Sequence, residues 1–156
     1  GAVAGWPQSA APLVPGLPAV DLLSLEARTD SAFVWALVLH RLRRGDDAGR
    51  ALAETVQQVA GAAPASRLNL LLTDGETIWA TAWGDTLWYL VEPGRHAVVA
   101  SEPYDDDPHW REVPDRTLLT ARRAGVLLTP VEDPASSPTP SSVRAGGPPS
   151  PKEPCT

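Results

Sequence analysis

The apolar residues of this 156-residue chain change their repeat once, and that change limits what it can fold into. Up to about residue 61 they recur at helical spacing. From Leu68 onward they alternate between tight turns. Trp35, Val38, Leu39 and Leu42 stand at i, i+3, i+4 and i+7, with Phe33 and Leu37 beside them, which predicts a helix. Thr29 or Asp30 can cap its start by accepting a bond from a free N–H. Arg41, Arg43 and Arg44 suit the negative end of its dipole, and Gly45 suits the left-handed residue that follows. A second helix is expected from about Asp47 to Ala60, with Leu52, Val56 and Val59 on its apolar face and Gly61 and Pro64 at its end.

The alternating half reads as an antiparallel sheet. Leu68, Leu70 and Leu72 alternate with Asn69, Leu71 and Thr73. Asp74-Gly75 predicts a type I′ hairpin turn, whose central residues both take positive φ. Returning strands follow over Glu76–Ala82, Thr86–Val91, His96–Ser101, Thr117–Ala121 and Val126–Thr129, separated by Trp83-Gly84-Asp85, Pro93-Gly94 and an acidic, proline-bearing loop. Leu71 and Trp88 lie opposite the alternating set, so both sheet faces are expected to be covered. Helices on one side alone do not do that. The pattern therefore implies a layered α+β sandwich whose second sheet is supplied by chain outside these residues.

The two ends differ from the middle. Pro7, Pro12, Pro15 and Pro18 forbid a long helix in the first 27 residues, although Asp21–Leu25 can form a short turn or strand. Eight of the 17 prolines fall between Pro130 and Pro154, and Val143 is the one bulky aliphatic residue after Pro134. Residues 131–156 are accordingly expected to be a disordered Pro/Ser-rich tail behind a folded unit spanning 1–130. No methionine occurs, and the chain opens on Gly1-Ala2-Val3-Ala4-Gly5-Trp6, which reads as a piece of something longer.

Composition removes several functions. A net charge of −6 does not suit a surface that neutralises phosphates, so no nucleic-acid partner is expected. No apolar run approaches the ~20 residues a membrane span needs, so no membrane partner is expected. The single cysteine, Cys155, can form neither an internal disulfide nor a multi-cysteine metal site, and a reducing, cytoplasmic setting fits it. His40, His96 and His109 show none of the metal-binding or nucleophile-elbow spacings. Asp105-Asp106-Asp107 cannot converge on one ion, because adjacent side chains diverge and the alternating calcium spacing is missing. No metal and no cofactor are expected, and the acidic run reads as loop structure. Trp79 and Trp88 read as core.

Four segments together carry a resemblance. They are Arg67-Leu68-Asn69-Leu70-Leu71-Leu72, Ala80-Thr81-Ala82-Trp83-Gly84-Asp85-Thr86-Leu87, Ala100-Ser101-Glu102-Pro103-Tyr104-Asp105-Asp106-Asp107-Pro108 with Trp110, and Val113-Pro114-Asp115-Arg116. From Gly1 to about Pro130, most weakly over Pro7–Leu25, the chain resembles the class II glutamine amidotransferase family. Within it, the chain resembles the ergothioneine-pathway γ-glutamyl amidohydrolases. The resemblance implies part of a four-layer α/β/β/α N-terminal-nucleophile hydrolase. It also implies hydrolysis of a γ-glutamyl amide in a small-molecule substrate.

In that family the mature chain begins with a cysteine, whose thiolate attacks the amide carbon and whose α-amino group is the base. An arginine holds the substrate α-carboxylate, and an Asn-Gly pair forms the oxyanion hole. The cysteine, arginine and asparagine have no counterpart in these residues. Gly1 corresponds to the glycine of the Asn-Gly pair, so its N–H is the implied oxyanion donor and a substrate contact. Thr29-Asp30-Ser31 is similar to the element whose aspartate pairs with the substrate α-ammonium, which makes Asp30 the implied substrate ligand. Ala32 departs from the Glu found there in many amidotransferases. From the residues alone Asp30 is equally a plain N-cap. With the nucleophile missing, these residues alone are expected to be inactive. A glutaminase feeding ammonia to a synthetase and an inactive binding module are the other readings. One sheet face, left bare by missing chain, would favour association into a homodimer.

Overall fold

The computed structural model describes residues 1–134. Two helices dominate the first half. Helix α2 (Asp30–Arg43) begins on Thr29, whose Oγ1 accepts from Ala32 N at 3.2 Å. Helix α3 (Ala48–Ala62) begins on Asp47, whose carboxylate accepts from Gly49 N and Arg50 N. Each cap satisfies N–H groups that have no partner within the helix. Phe33, Val34, Leu37 and Val38 of α2 pack with Leu52, Val56 and Val59 of α3 in one buried cluster. The proline-rich entry is more regular than its sequence suggests. It holds a 3-10 helix over Gln8–Gly16, which contains Pro12 and Pro15, and a short helix α1 (Ala19–Leu23).

Among the described residues seven strands form two antiparallel sheets, where the sequence suggests one. Strands β1 (Leu71–Thr73), β2 (Thr77–Ala82), β6 (Thr117–Arg122) and β7 (Gly125–Pro130) lie in the order β1-β2-β6-β7. Strands β3 (Trp88–Glu92), β4 (His96–Ala100) and the two-residue β5 (Arg111–Glu112) form a second sheet in the order β4-β3-β5. In register, Ala80 faces Leu119 and Leu119 faces Leu128. Ala80, Ala82, Leu119 and Ala121 form one buried cluster with Leu87 and Val113, and Tyr89, Ala97 and Val99 of the second sheet pack against it. The opposite face carries Leu118 and Trp79 toward the helices. The layers run helices, four-stranded sheet, three-stranded sheet. The second sheet thus comes from this chain itself, and the face from which association was expected is covered by β3 and β4.

Two local expectations also change. At Asp74-Gly75 only Gly75 has positive φ, +91°, so the turn is not type I′. Asp74 Oδ1 instead accepts from Glu76 N and Thr77 N, at 2.9 and 2.7 Å, closing the loop with a side chain. Strand β1 is short because Thr81 intervenes next to it. Its Oγ1 accepts from Leu70 N and donates to Leu68 O, replacing ladder bonds along Leu68–Leu70. At the other end the fold continues past Pro130. Val131 is buried and donates to Arg116 O, while Arg116 pairs with Asp133 at 2.7 Å. The rest of the expected tail, with Cys155, lies outside the described residues.

Candidate functional site

The segment preceding the 3-10 helix is held against two elements at once. Ala2 N donates to Arg67 O at 2.8 Å and Arg67 N donates to Ala2 O at 2.9 Å, an isolated antiparallel bridge. A β-carbon on Gly1 would lie 2.6 Å from Arg67 O, so a side chain there requires the backbone to shift. Val3 N donates to Asp30 Oδ2 at 2.9 Å. Ala4 N donates to Ser66 Oγ at 3.0 Å, and that hydroxyl donates to Ala63 O at 2.6 Å.

Thr29 takes the capping role at α2, and this leaves Asp30 for other work. Its Oδ1 accepts from Ser31 N at 2.8 Å and its Oδ2 from Val3 N. Each carboxylate oxygen has two acceptor sites, so both retain capacity for an external donor. Gly1 and Asp30 line the same cavity of about 240 Å³, closed by Val34, Val38 and Leu52 at its base and bordered by Trp35 and Leu71. The two residues proposed from the sequence thus line one cavity, with an anionic group at a helix start and the backbone of Gly1 nearby. The cavity is mostly apolar and supplied with few polar groups, as ligand sites generally are.

The motif residues that carried the resemblance are mostly braces. Asn69 Nδ2 donates to Asp85 O and Thr86 O, and its Oδ1 accepts from Trp83 N at 2.9 Å. Asp115 accepts from Gly84 N at 2.9 Å. Asp105 accepts from Trp110 Nε1 at 2.7 Å. Asp107 accepts from His109 N at 2.8 Å. That bond, with the His109 ring also on the same oxygen at 2.7 Å, holds the Asp107 carboxyl below the usual carboxylate range. The acidic run fixes its own loop, as read from the sequence, and no group of three potential metal ligands occurs among the described residues.

Two contributors escaped the sequence reading. Ser66, 4% exposed, anchors the N-terminal segment from a stretch with no periodic signal. Trp35, which its spacing puts on the apolar face of the helix, is 49% exposed at the cavity rim.

Comparison with known proteins places this arrangement. A class II glutamine aminotransferase domain protein from Silicibacter pomeroyi superposes with a TM-score of 0.63, covering 85% of this chain and 66% of that one at 22% identity. The fold is therefore that of a class II glutamine amidotransferase domain, built in α and β layers. No family model matches the chain. In sequence, the chain is 46% identical over 106 residues to gamma-glutamyl-hercynylcysteine sulfoxide hydrolase of Mycolicibacterium smegmatis, across 68% of its own length and 44% of the relative's. It is 46% identical over 82 residues to the enzyme of the same name from Mycobacterium tuberculosis, across 53% and 35%. The chain is a homologue of these hydrolases along the matched segment, and it spans less than half the length of each.

Proposed function

We propose that this chain is part of an amidohydrolase that cleaves the γ-glutamyl amide of γ-glutamyl-hercynylcysteine sulfoxide, releasing glutamate in ergothioneine biosynthesis. The observation that carries the reading is the meeting of Gly1 and Asp30 in one cavity, fixed by the Val3–Asp30 bond. In a substrate pose that fits, Asp30 takes the α-ammonium through its remaining acceptor sites, a charge-assisted contact. In that pose the N–H of Gly1 is the donor assigned to the oxygen of the attacked carbonyl.

The reaction needs a thiolate. The single cysteine, Cys155, is the penultimate residue of a Pro/Ser-rich segment with no neighbouring base in sequence, so the reading assigns the nucleophile to a cysteine outside the 156 residues. The sulfur bonds to the amide carbon, the amine leaves with the proton taken from the thiol, and water then splits the thioester to glutamate. A thiol doing this work belongs in the reducing cytoplasm. The test is to incubate the full-length gene product with γ-glutamyl-hercynylcysteine sulfoxide and assay free glutamate. Release with this substrate in clear preference to L-glutamine is expected. No release, or equal turnover of L-glutamine, contradicts the reading.

A further inference from the structure

A second groove, of about 520 Å³, runs along the other flank of the first turns of α2. Ser31 and Trp35 line both it and the Asp30 cavity, so the two spaces meet along that edge of the helix. Ser31 and Trp35 are four residues apart on α2 and therefore neighbours on its surface. Trp35 breaks the pattern of its surroundings. Val34, Ala36, Leu37 and Val38 are all buried, whereas Trp35 is about half exposed. Its ring makes no aromatic or cation contact among the described residues.

The groove is also negatively biased. Asp21 lines it but is paired with Arg43 at 2.7 Å and with His40 at 3.3 Å. Glu26 lines it with no ion-pair or hydrogen-bond partner among the described residues, so its charge is the one left over. An open indole in the same groove as an uncompensated carboxylate is the chemistry that recognises a quaternary ammonium group. Such a cation has no N–H to donate and is held by a ring face and by charge.

We infer that Trp35, with Glu26, is a specificity-determining residue that receives the trimethylammonium end of the departing hercynyl group while the γ-glutamyl end occupies the Asp30 cavity. The inference rests on the proposed function, because it takes its ligand from that substrate. The hercynyl group is a histidine betaine, which supplies the permanent cation. The shared Ser31–Trp35 edge lets one molecule reach both spaces.

The test uses hercynine itself, which has no scissile amide. Calorimetric titration of hercynine into the full-length gene product is compared with Trp35→Ala, Trp35→Phe and Glu26→Gln, with L-histidine as the unmethylated control. Expected are about tenfold weaker binding in Trp35→Ala, recovery to within about threefold in Trp35→Phe, a weaker affinity in Glu26→Gln, and poorer binding of L-histidine. Saturating L-glutamate is expected to leave the hercynine Kd unchanged. No hercynine binding, or binding equal in wild type and Trp35→Ala, overturns the inference. Trp35-dependent hercynine binding without glutamate release from the substrate defeats the proposed function alone. Glutamate release with Trp35-independent binding defeats this inference alone.

Discussion

Asp30 shows how much a single position can hide. Its place at a helix start was legible, because Thr-Asp-Ser before an apolar stripe is a capping signal. Which side chain caps was not, since Thr29 and Asp30 can both accept from the same N–H groups. The structure gives the cap to Thr29 and turns Asp30 toward Val3, a partner 27 residues away that no local pattern records. Asp74 illustrates the same limit. Asp-Gly signalled a turn, and Gly75 does take positive φ, but the side chain of Asp74 closes the loop. Bonds from Thr77 N and Glu76 N hold the Asp74 carboxyl below its ordinary range. A carboxyl lowered on folding contributes stability that is present above its unfolded pKa of about 3.9 and is lost as pH falls through the folded value. Asp74→Asn is therefore expected to flatten the loss of stability between about pH 4 and pH 2. Urea midpoints at pH 6 and pH 2.5 check this, and an unchanged difference between wild type and variant contradicts it.

At the scale of elements, the helices were legible and the division of strands was not. Helical period identifies a buried face directly, and Leu52, Val56 and Val59 are all 2% exposed or less. Alternation tells which side of a strand is apolar but not which sheet the strand joins. The chain leaves the first sheet at Trp83-Gly84-Asp85, which read as one more hairpin turn. Instead Asn69 and Asp115 hold that corner while the chain crosses to β3. Leu119 lies on β6 between the two sheets and is fully buried. Its truncation tests whether they share one core. Leu119→Ala is expected to cost about 3 kcal/mol by urea denaturation, from lost burial plus the cavity left behind. A cost below about 1 kcal/mol would show that the sheets do not pack there. Since Leu119 does not line the Asp30 cavity, ligand affinity in the folded variant is expected to stay unchanged.

For the molecule as a whole, the four-stranded sheet is a shared wall. One face carries α2 and α3, and through them the Asp30 cavity; the other carries β3 to β5. The braces contributed by Asn69, Asp105 and Asp115 hold the loops of that wall, and of the recognisable motifs the segment from Arg67 to Leu71 also lines the cavity. The cavity itself is assembled from Gly1, the start of α2 and the segment around Arg67, three stretches far apart in sequence. Only a family resemblance, not periodicity, could join them in advance.

The central claim is that Asp30 binds the α-ammonium of a γ-glutamyl substrate. It is tested most directly by steady-state kinetics of glutamate release from γ-glutamyl-hercynylcysteine sulfoxide by the full-length gene product and its Asp30→Asn variant. Asparagine keeps an oxygen for the Val3 N–H and removes the charge. A fall in kcat/KM of about a hundredfold, with the thermal midpoint nearly unchanged, is the expected result. A folded Asp30→Asn variant that releases glutamate as efficiently as the wild type would contradict the account.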